Sequence, residues 1–120
     1  MMPLTDKALA MCLELGKILA ETEEFKKMKE AEYKLLHDPE ARRYVENLQM
    51  AQAEQRRMQL AGQVPSEEEK KKLREAERAA MTNPVVKLSH DANTNFQLLL
   101  NDITAKIKEG IREYSQKGRS

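Results

Sequence analysis

The chain has 120 residues, of which 34% are charged, 40% are hydrophobic and 4% are aromatic, and its net charge is +1. This length predicts one domain with a hydrophobic core, and the shortage of aromatic and β-branched residues disfavours β-sheets. Because the net charge is near zero, the protein as a whole does not attract nucleic acid or anionic lipid by long-range electrostatics. Only local basic patches could make such contacts.

The first predicted helix runs from Leu4 to Ala20. Its apolar residues recur at helical spacing on two stripes, which are Ala8, Met11, Cys12, Leu15 and Leu19, and Leu9, Leu13, Gly16 and Ala20. A helix with two apolar stripes is expected to pack on more than one side. The segment is too charged for a signal peptide or a membrane-spanning helix, and no later segment is a better candidate for either. We therefore expect a cytoplasmic protein that does not bind a membrane.

Cys12 is the only cysteine of the chain. A single cysteine excludes an internal disulfide bond and a zinc or iron–sulfur site built on the cysteines of one chain. Cys12 lies in an apolar run, and no cationic residue stands close enough to activate its thiol. The sequence therefore predicts a small buried hydrophobic side chain at this position rather than a reactive thiol.

Thr22 and Pro39 mark the beginnings of the second and third helices. Thr22 is a typical N-cap residue, and the two glutamates after it place negative charge at the positive end of the helix dipole. Pro39 disfavours helix at Asp38 but suits the first position of the helix that follows. The third helix ends before Gly62, because glycine readily adopts the left-handed conformation that follows a helix C-terminus. Its predicted inward residues are Ala41, Tyr44, Val45, Leu48, Ala51, Gln55 and Met58.

Ser66 begins the fourth helix. Ser66 and Glu69 fit a capping box, in which the serine oxygen accepts a hydrogen bond from the Glu69 amide and the glutamate side chain reaches back. The acidic and basic residues that follow cancel, and they include favourable pairs four residues apart, such as Glu67 with Lys71 and Glu68 with Lys72. We interpret this charged run as a solvated helix face.

Asn83 and Pro84 open the last helix, which carries the strongest periodic signal of the chain. Its apolar stripe consists of Val85, Leu88, Ala92, Phe96, Leu99, Ile103, Ile107 and Tyr114. From Pro84 to Tyr114 this helix would be roughly 45 Å long, whereas a compact domain of this size is about 35 Å across. The end of the helix would expose apolar residues to water, and pairing with a second copy hides them most simply.

The sequence therefore predicts an all-α protein of about five helices, an antiparallel helical bundle with long third and fifth helices that forms a homodimer. Residues 1–115 are expected to form a single domain, and residues 116–120 a disordered polar tail. The residues expected in the core or in the dimer interface are Leu48, Met58, Leu88, Phe96, Leu99, Ile103 and Ile107.

No set of residues in the sequence predicts catalysis or metal binding. Ser89, His90 and Asp91 are the residue types of a hydrolase triad, but neighbours in a helix point about 100° apart and cannot form a relay. His37 has no second histidine or cysteine at ligand spacing. The chain also lacks a glycine-rich phosphate loop and a zinc-protease motif. We expect no enzyme activity, no metal and no cofactor, while a small-ligand pocket between helices stays open.

Four arginines of the third helix are the candidate contacts for a partner: Arg42, Arg43, Arg56 and Arg57. One interpretation is direct RNA binding, although the sequence interleaves no aromatic residues with these arginines and contains no known reading motif. The other is a protein partner, because Met50 and Met58 beside them are adaptable contact residues. Protein contact is the favoured hypothesis, and RNA binding is the alternative.

The order and spacing of several segments resemble the YlbF/YmcA/YheA family of small bacterial helical proteins. These segments are Leu15 to Phe25, His37 to Ala41, Gln55 to Gly62, Asn83 to Val86 and Phe96 to Ile103. The end of the third helix and the run from Ser66 to Glu69 look closest to the YheA branch of that family.

The resemblance implies an all-α dimer without known catalytic activity. For the better-known members it implies a regulatory role in competence, sporulation and biofilm development, within a complex that modulates messenger-RNA processing by an endoribonuclease. Some members carry C-terminal cysteines associated with an iron–sulfur cluster, and this chain has no cysteine after Cys12, so cluster binding is not implied. The expected partners are a second copy and other regulatory proteins, including an endoribonuclease complex.

Overall fold

The computed structural model describes residues 3–118, and within that range it contains five α-helices and no β-strand. The helices are α1 (Leu4–Leu19), α2 (Glu23–Leu36), α3 (Pro39–Leu60), α4 (Glu67–Thr82) and α5 (Pro84–Lys117). The predicted all-α fold is confirmed, and the third and fifth helices are long, as predicted. None of the described helices combines the length and the hydrophobicity needed to cross a membrane.

Local hydrogen bonds explain why the helices begin where they do. The Thr22 hydroxyl accepts from the Phe25 amide at 3.2 Å, and the Asp38 carboxylate accepts from the Ala41 amide at 3.0 Å. Each bond satisfies a backbone donor that has no partner within its own helix. Ser66 does the same for Glu69 at 3.2 Å, which is the forward half of the predicted capping box. One carboxylate oxygen of Glu69 has no hydrogen-bond partner within the described chain.

One detail of the charged run at the start of α4 differs from the expectation. The glutamate at the first position of the helix pairs with Lys70, three residues on, at 3.5 Å, rather than with Lys71 as the spacing suggested. Positions three and four residues apart are both neighbours on a helix surface, so the choice depends on side-chain rotamers. Both side chains are exposed or nearly so, which agrees with a solvated face.

The end of α3 is built around Gly62, whose φ of +73° is the conformation that glycine adopts without steric cost. The Gly62 amide donates to the carbonyl of Gln59 at 3.1 Å, and the Gln63 amide donates to the carbonyl of Met58 at 2.9 Å. This pair of bonds is the Schellman motif. The chain therefore turns sharply from α3 towards α4, and the two helices pack against each other as a helical hairpin.

Asn83 differs from the other three capping residues, because its side-chain oxygen accepts from two amides. The distances are 3.0 Å to the Val85 nitrogen and 3.1 Å to the Val86 nitrogen. We expect Asn83→Ala to lower the free energy of unfolding by about 1 kcal/mol, the usual cost of losing an N-cap. Urea unfolding followed by circular dichroism measures this loss, and an unchanged midpoint would contradict the role of Asn83 as a cap.

The contacts divide the chain into two compact units. Unit 1 comprises Met1–Lys29 and Ala92–Ser120, and unit 2 comprises Glu30–Asp91. The single domain over residues 1–115 stays a prediction. Of the predicted polar tail 116–120, residues 116 and 117 belong to the last turn of α5, and residues 119 and 120 lie outside the described residues.

Unit 2 has a small core made of alanine and valine side chains. Ala41 of α3, Ala80 of α4 and Val86 of α5 are buried together. The partly buried residues that pack against them are Leu35, Tyr44, Val45, Leu48 and Val85. Two of the buried residues are alanines with no exposed surface, so α3 and α4 approach each other closely at this point.

Unit 1 buries far fewer of its residues than unit 2 does. Among its described residues only Ala92 is buried, and α1 contains no buried residue. The rings of Phe25 and Phe96 meet edge to face with their centroids 5.5 Å apart, which is a favourable aromatic geometry. The expectation that α1 packs on more than one side is therefore wrong for the single chain. Cys12, expected to be buried, is exposed for the same reason.

Candidate interaction surfaces

The C-terminal half of α5 carries exposed apolar residues in a line. The apolar stripe of this helix is half-buried at Phe96, Leu99, Leu100 and Ile103. It then continues at the same helical spacing through Ile107, Ile111 and Tyr114, whose exposed fractions are 52%, 63% and 81%. These last three residues are called the α5 ridge below. A helix normally buries its apolar stripe, so the ridge is the part of the stripe that the chain itself leaves uncovered.

Gly110 lies on the same stripe, three residues after Ile107 and four before Tyr114. A Cβ atom added to Gly110 would meet nothing within 4 Å, so the chain itself does not require a glycine there. Glycine inside a helix costs about 1 kcal/mol relative to alanine. Its presence on an apolar stripe leaves room for the close approach of another helix.

Helix α1, in the same unit, presents a second exposed apolar surface. Its large exposed side chains are Leu4, Leu9, Met11, Leu13 and Ile18, with exposed fractions between 60% and 83%. Only Leu15 and Leu19 are half-buried. Leu4, Met11 and Ile18 recur at steps of seven residues and lie on one side of the helix, whereas Leu9 and Leu13 lie on the opposite side. Leu4, Met11 and Ile18 are called the α1 face below. Sequence periodicity identified the residues as apolar, but it could not show that the chain provides nothing to cover them.

The residues predicted for the core or dimer interface occupy different environments. Leu48 packs against the buried cluster of unit 2, and Met58, Phe96, Leu99 and Ile103 are half-buried. Leu88 is 47% exposed and Ile107 is 52% exposed. The structure thus places Leu48 in the core, whereas Ile107 is available to a partner.

The four arginines of α3 all lie on its exposed side. Arg42 lies 3.9 Å from Glu46, and Arg57 forms an ion pair with Glu54. The hydrogen bond to Glu54 and the charge of that carboxylate raise the pKa of Arg57. Arg43 and Arg56 form no ion pair within the described chain.

Exposed apolar side chains accompany these arginines. Met50 on α3 is 71% exposed, Leu60 at the end of α3 is 85% exposed, and Val64 in the following turn is 82% exposed. The turn that presents Leu60 and Val64 is held by the Schellman motif and by the Ser66 cap. Leu60 and Val64 were not predicted as contact residues, because neither belongs to the inward stripe of α3.

The candidate metal ligands do not cluster within the described part of the chain. That part contains no group of three or more histidine, cysteine, aspartate or glutamate side chains that could hold a metal ion. His37 instead has a local role, because its Nδ1 atom lies 2.9 Å from the carbonyl oxygen of Tyr33 and its ring stacks on the Tyr33 ring. Ser89, His90 and Asp91 are consecutive residues of α5 and point in different directions.

Comparisons with known proteins agree with this architecture. The family model Com_YlbF, described as control of competence regulator ComK, YlbF/YmcA, matches residues 8–112. A UPF0342 protein from Levilactobacillus brevis is 27% identical over 110 residues, which are 92% of this chain and 96% of that protein. The crystal structure of Bacillus subtilis RicA in complex with RicF is similar in fold, with a TM-score of 0.75 and 19% identity over 90% of this chain and 96% of that one.

Proposed function

Because the chain belongs to the Com_YlbF family, described as control of the competence regulator ComK, we propose that it is a non-enzymatic regulatory adaptor that acts as a homodimer. It acts through helical surfaces that bind other proteins. The resemblance of its sequence to this family, whose better-known members are regulators, suggests a role in competence, sporulation or biofilm development through messenger-RNA processing. The RicA structure, which contains a complex with RicF, supports protein contact as the mode of action.

The observation that carries this proposal is the exposed apolar surface of unit 1. Apolar side chains on the α1 face and the α5 ridge are between 52% and 83% exposed, while the described part of the unit buries one residue. Hydrophobic burial is the main favourable term in folding, so a unit with such a small core needs further cover. A second copy provides that cover with the same residues, because a two-fold interface uses one patch on both subunits.

The available surface is of the right size for a stable dimer. The six side chains of the α1 face and the α5 ridge expose roughly 700 Å² if a large apolar side chain has about 150–200 Å² of surface, which is close to the about 800 Å² per partner that a stable interface buries. Gly110 supports the same proposal, since its open Cβ direction lets a partner helix pack closely on the ridge. The apolar stripe of α5 would then pack partly within the chain and partly against the second copy. The residues of this stripe that would reach the interface are Leu99, Ile103 and Ile107.

The RNA alternative receives less support from the arginines. Two of the four are already paired with glutamates, which reduces the positive charge available to phosphates. The one aromatic residue of α3, Tyr44, follows Arg43 but packs against the core of unit 2, so it is poorly placed for base stacking. Direct RNA binding would predict a mobility shift that weakens with salt and disappears when Arg42, Arg43, Arg56 and Arg57 are replaced by alanine.

Affinity purification of the tagged, full-length protein from its native cell tests the adaptor role. The purification is run with and without ribonuclease, and the untagged strain serves as the control. We expect at least one protein to co-purify reproducibly in both conditions. Co-purification that is lost after ribonuclease treatment would favour the RNA alternative. Absence of any reproducible protein in either condition would contradict the adaptor role.

A further inference from the structure

The basic residues of α3 differ in kind from those of the rest of the chain. The chain contains 8 arginines and 13 lysines, yet α3 holds four arginines and no lysine. Helix α2 has the opposite composition, because all four of its basic residues are lysines. Lysine is depleted and arginine is enriched at protein interfaces, since the planar guanidinium is weakly hydrated and binds carboxylates with two parallel hydrogen bonds. The composition of α3 is therefore that of a binding surface rather than of a solubilising one.

The spacing of the exposed residues of α3 fits a helical partner. Residues on the side opposite α4 recur at alternating steps of four and three: Arg42, Glu46, Gln49, Ala53, Arg56 and Leu60. This line is called the seam, because two helices that pack side by side touch at such steps; only Ala53 and Leu60 of the line are apolar, so its contacts with a partner would be mostly polar. Arg43, Met50 and Arg57 flank the seam at steps of seven residues. The seam and its flank are called the outer face of α3 below, and every residue of it is exposed.

The charge of the outer face determines which kind of partner is complementary to it. Two of its four arginines already pair with glutamates, Arg42 with Glu46 of the face and Arg57 with the neighbouring Glu54. Arg43 and Arg56 keep their full donor capacity, and they stand about 20 Å apart along the helix at 1.5 Å per residue. A second copy of the same face would bring further arginines against them, which like-charge repulsion disfavours. A partner with carboxylates at both ends complements the face.

We propose that the outer face of α3 binds an acidic amphipathic helix of about 18 residues that belongs to a partner protein. Arg43 and Arg56 bind carboxylates on that helix, while Met50 and Leu60 contact its apolar side. Both ends of α3 are fixed by their caps, so the face is preorganised and little conformational entropy is lost on binding. This inference rests on the proposed function, because it assigns one surface to the protein contacts of the adaptor.

Nuclear magnetic resonance titration of the full-length, isotope-labelled protein tests the assignment. The probe is a designed 21-residue helical peptide with leucine at heptad positions and glutamate beside them. A scrambled peptide of identical composition and a 20-nucleotide oligouridine are the comparison ligands. We expect the amphipathic peptide to shift amide signals of α3 and to bind about tenfold more tightly than the scrambled one, because only the former aligns carboxylates with leucines.

Substitutions of the arginines test which residues contact the amphipathic peptide. Arg43→Glu combined with Arg56→Glu is expected to weaken binding of the amphipathic peptide by about tenfold or more. The matched control is Arg74→Glu combined with Arg78→Glu, which reverses two exposed arginines on α4 and should leave the affinity unchanged. Arg43→Lys combined with Arg56→Lys keeps the charge but removes the guanidinium fork, so we expect an intermediate loss.

Several outcomes would overturn the assignment. Equal binding of the two peptides, equal loss in the two charge-reversal variants, or signal shifts outside α3 would show non-specific attraction. Tighter binding of oligouridine than of the amphipathic peptide would assign the face to RNA, and a loss of dimer mass in the Arg43 and Arg56 variants would assign it to a second copy. No binding of the amphipathic peptide by a chain that still dimerises and still recovers partners would refute this inference and leave the proposed function standing.

Discussion

Replacing Ile107 and Ile111 together by aspartate is expected to convert the dimer into a folded monomer. Both residues lie on the α5 ridge and are more than half exposed in the single chain, so their replacement costs the fold little. In the proposed dimer each buried isoleucine contributes about 1.5–3 kcal/mol, and the two subunits supply four of them. We therefore expect the dissociation constant to rise by about a thousandfold or more.

Light scattering coupled to size-exclusion chromatography measures this change. The matched control is Gln97→Asp combined with Asn101→Asp, which adds the same charge at the same spacing on exposed polar positions of α5. The control should keep the mass of the unaltered protein, and circular dichroism should show the same helix content for all three proteins. A dimer that persists in the Ile107 and Ile111 variant would show that the ridge is not the interface.

Replacing Ala80 by leucine is expected to destabilise unit 2 strongly. Ala41 and Ala80 have no exposed surface, and they lie where α3 and α4 meet. A larger side chain forces the two helices apart or adopts a strained rotamer, which typically costs 1–3 kcal/mol. For a chain of this length we expect the thermal midpoint to fall by roughly 10 °C.

The control for this prediction is Ala53→Leu, which places the same side chain on the exposed side of α3. Exposed substitutions that keep good helix formers usually change stability by less than about 0.5 kcal/mol. Thermal unfolding followed by circular dichroism compares the two variants directly. Similar midpoints for Ala80→Leu and the unaltered protein would contradict the close packing of α3 on α4.

The helix boundaries were predictable because the signals that set them are local. Thr22, Asp38 and Ser66 each accept a hydrogen bond from an amide three residues on, so the residue type at that position is enough to mark a helix start. Gly62 marks a helix end for an equally local reason, its positive φ. Such features need no knowledge of what packs against the helix.

The environment of α1 was not predictable in the same way. Apolar periodicity shows which residues avoid water, but not whether the chain provides a surface that covers them. Cys12 illustrates the difference, since its apolar neighbours suggested burial and the structure leaves it exposed. The same limit applies to the ion pairs, because Glu67 has basic residues at both neighbouring positions and the rotamers decide between them.

The candidate surfaces were predictable in part. The stripe of α5 extends past the length of a compact domain, so the exposure of Ile107 could be expected from helix geometry alone. The arginines of α3 were identified by residue type, whereas the pairing of Arg57 with Glu54 required side-chain positions. Leu60 and Val64 lie at and beyond the end of the periodic pattern, so no sequence signal distinguished them from ordinary turn residues.

The mass of the unaltered protein in solution tests the central claim most directly. Light scattering at micromolar concentration should give twice the 13.8 kDa of one chain. This result would agree with an α5 ridge and an α1 face that are covered by a second copy. A mass of 13.8 kDa across the same concentration range would contradict the homodimer and would leave the exposed apolar surface of unit 1 without its proposed cover.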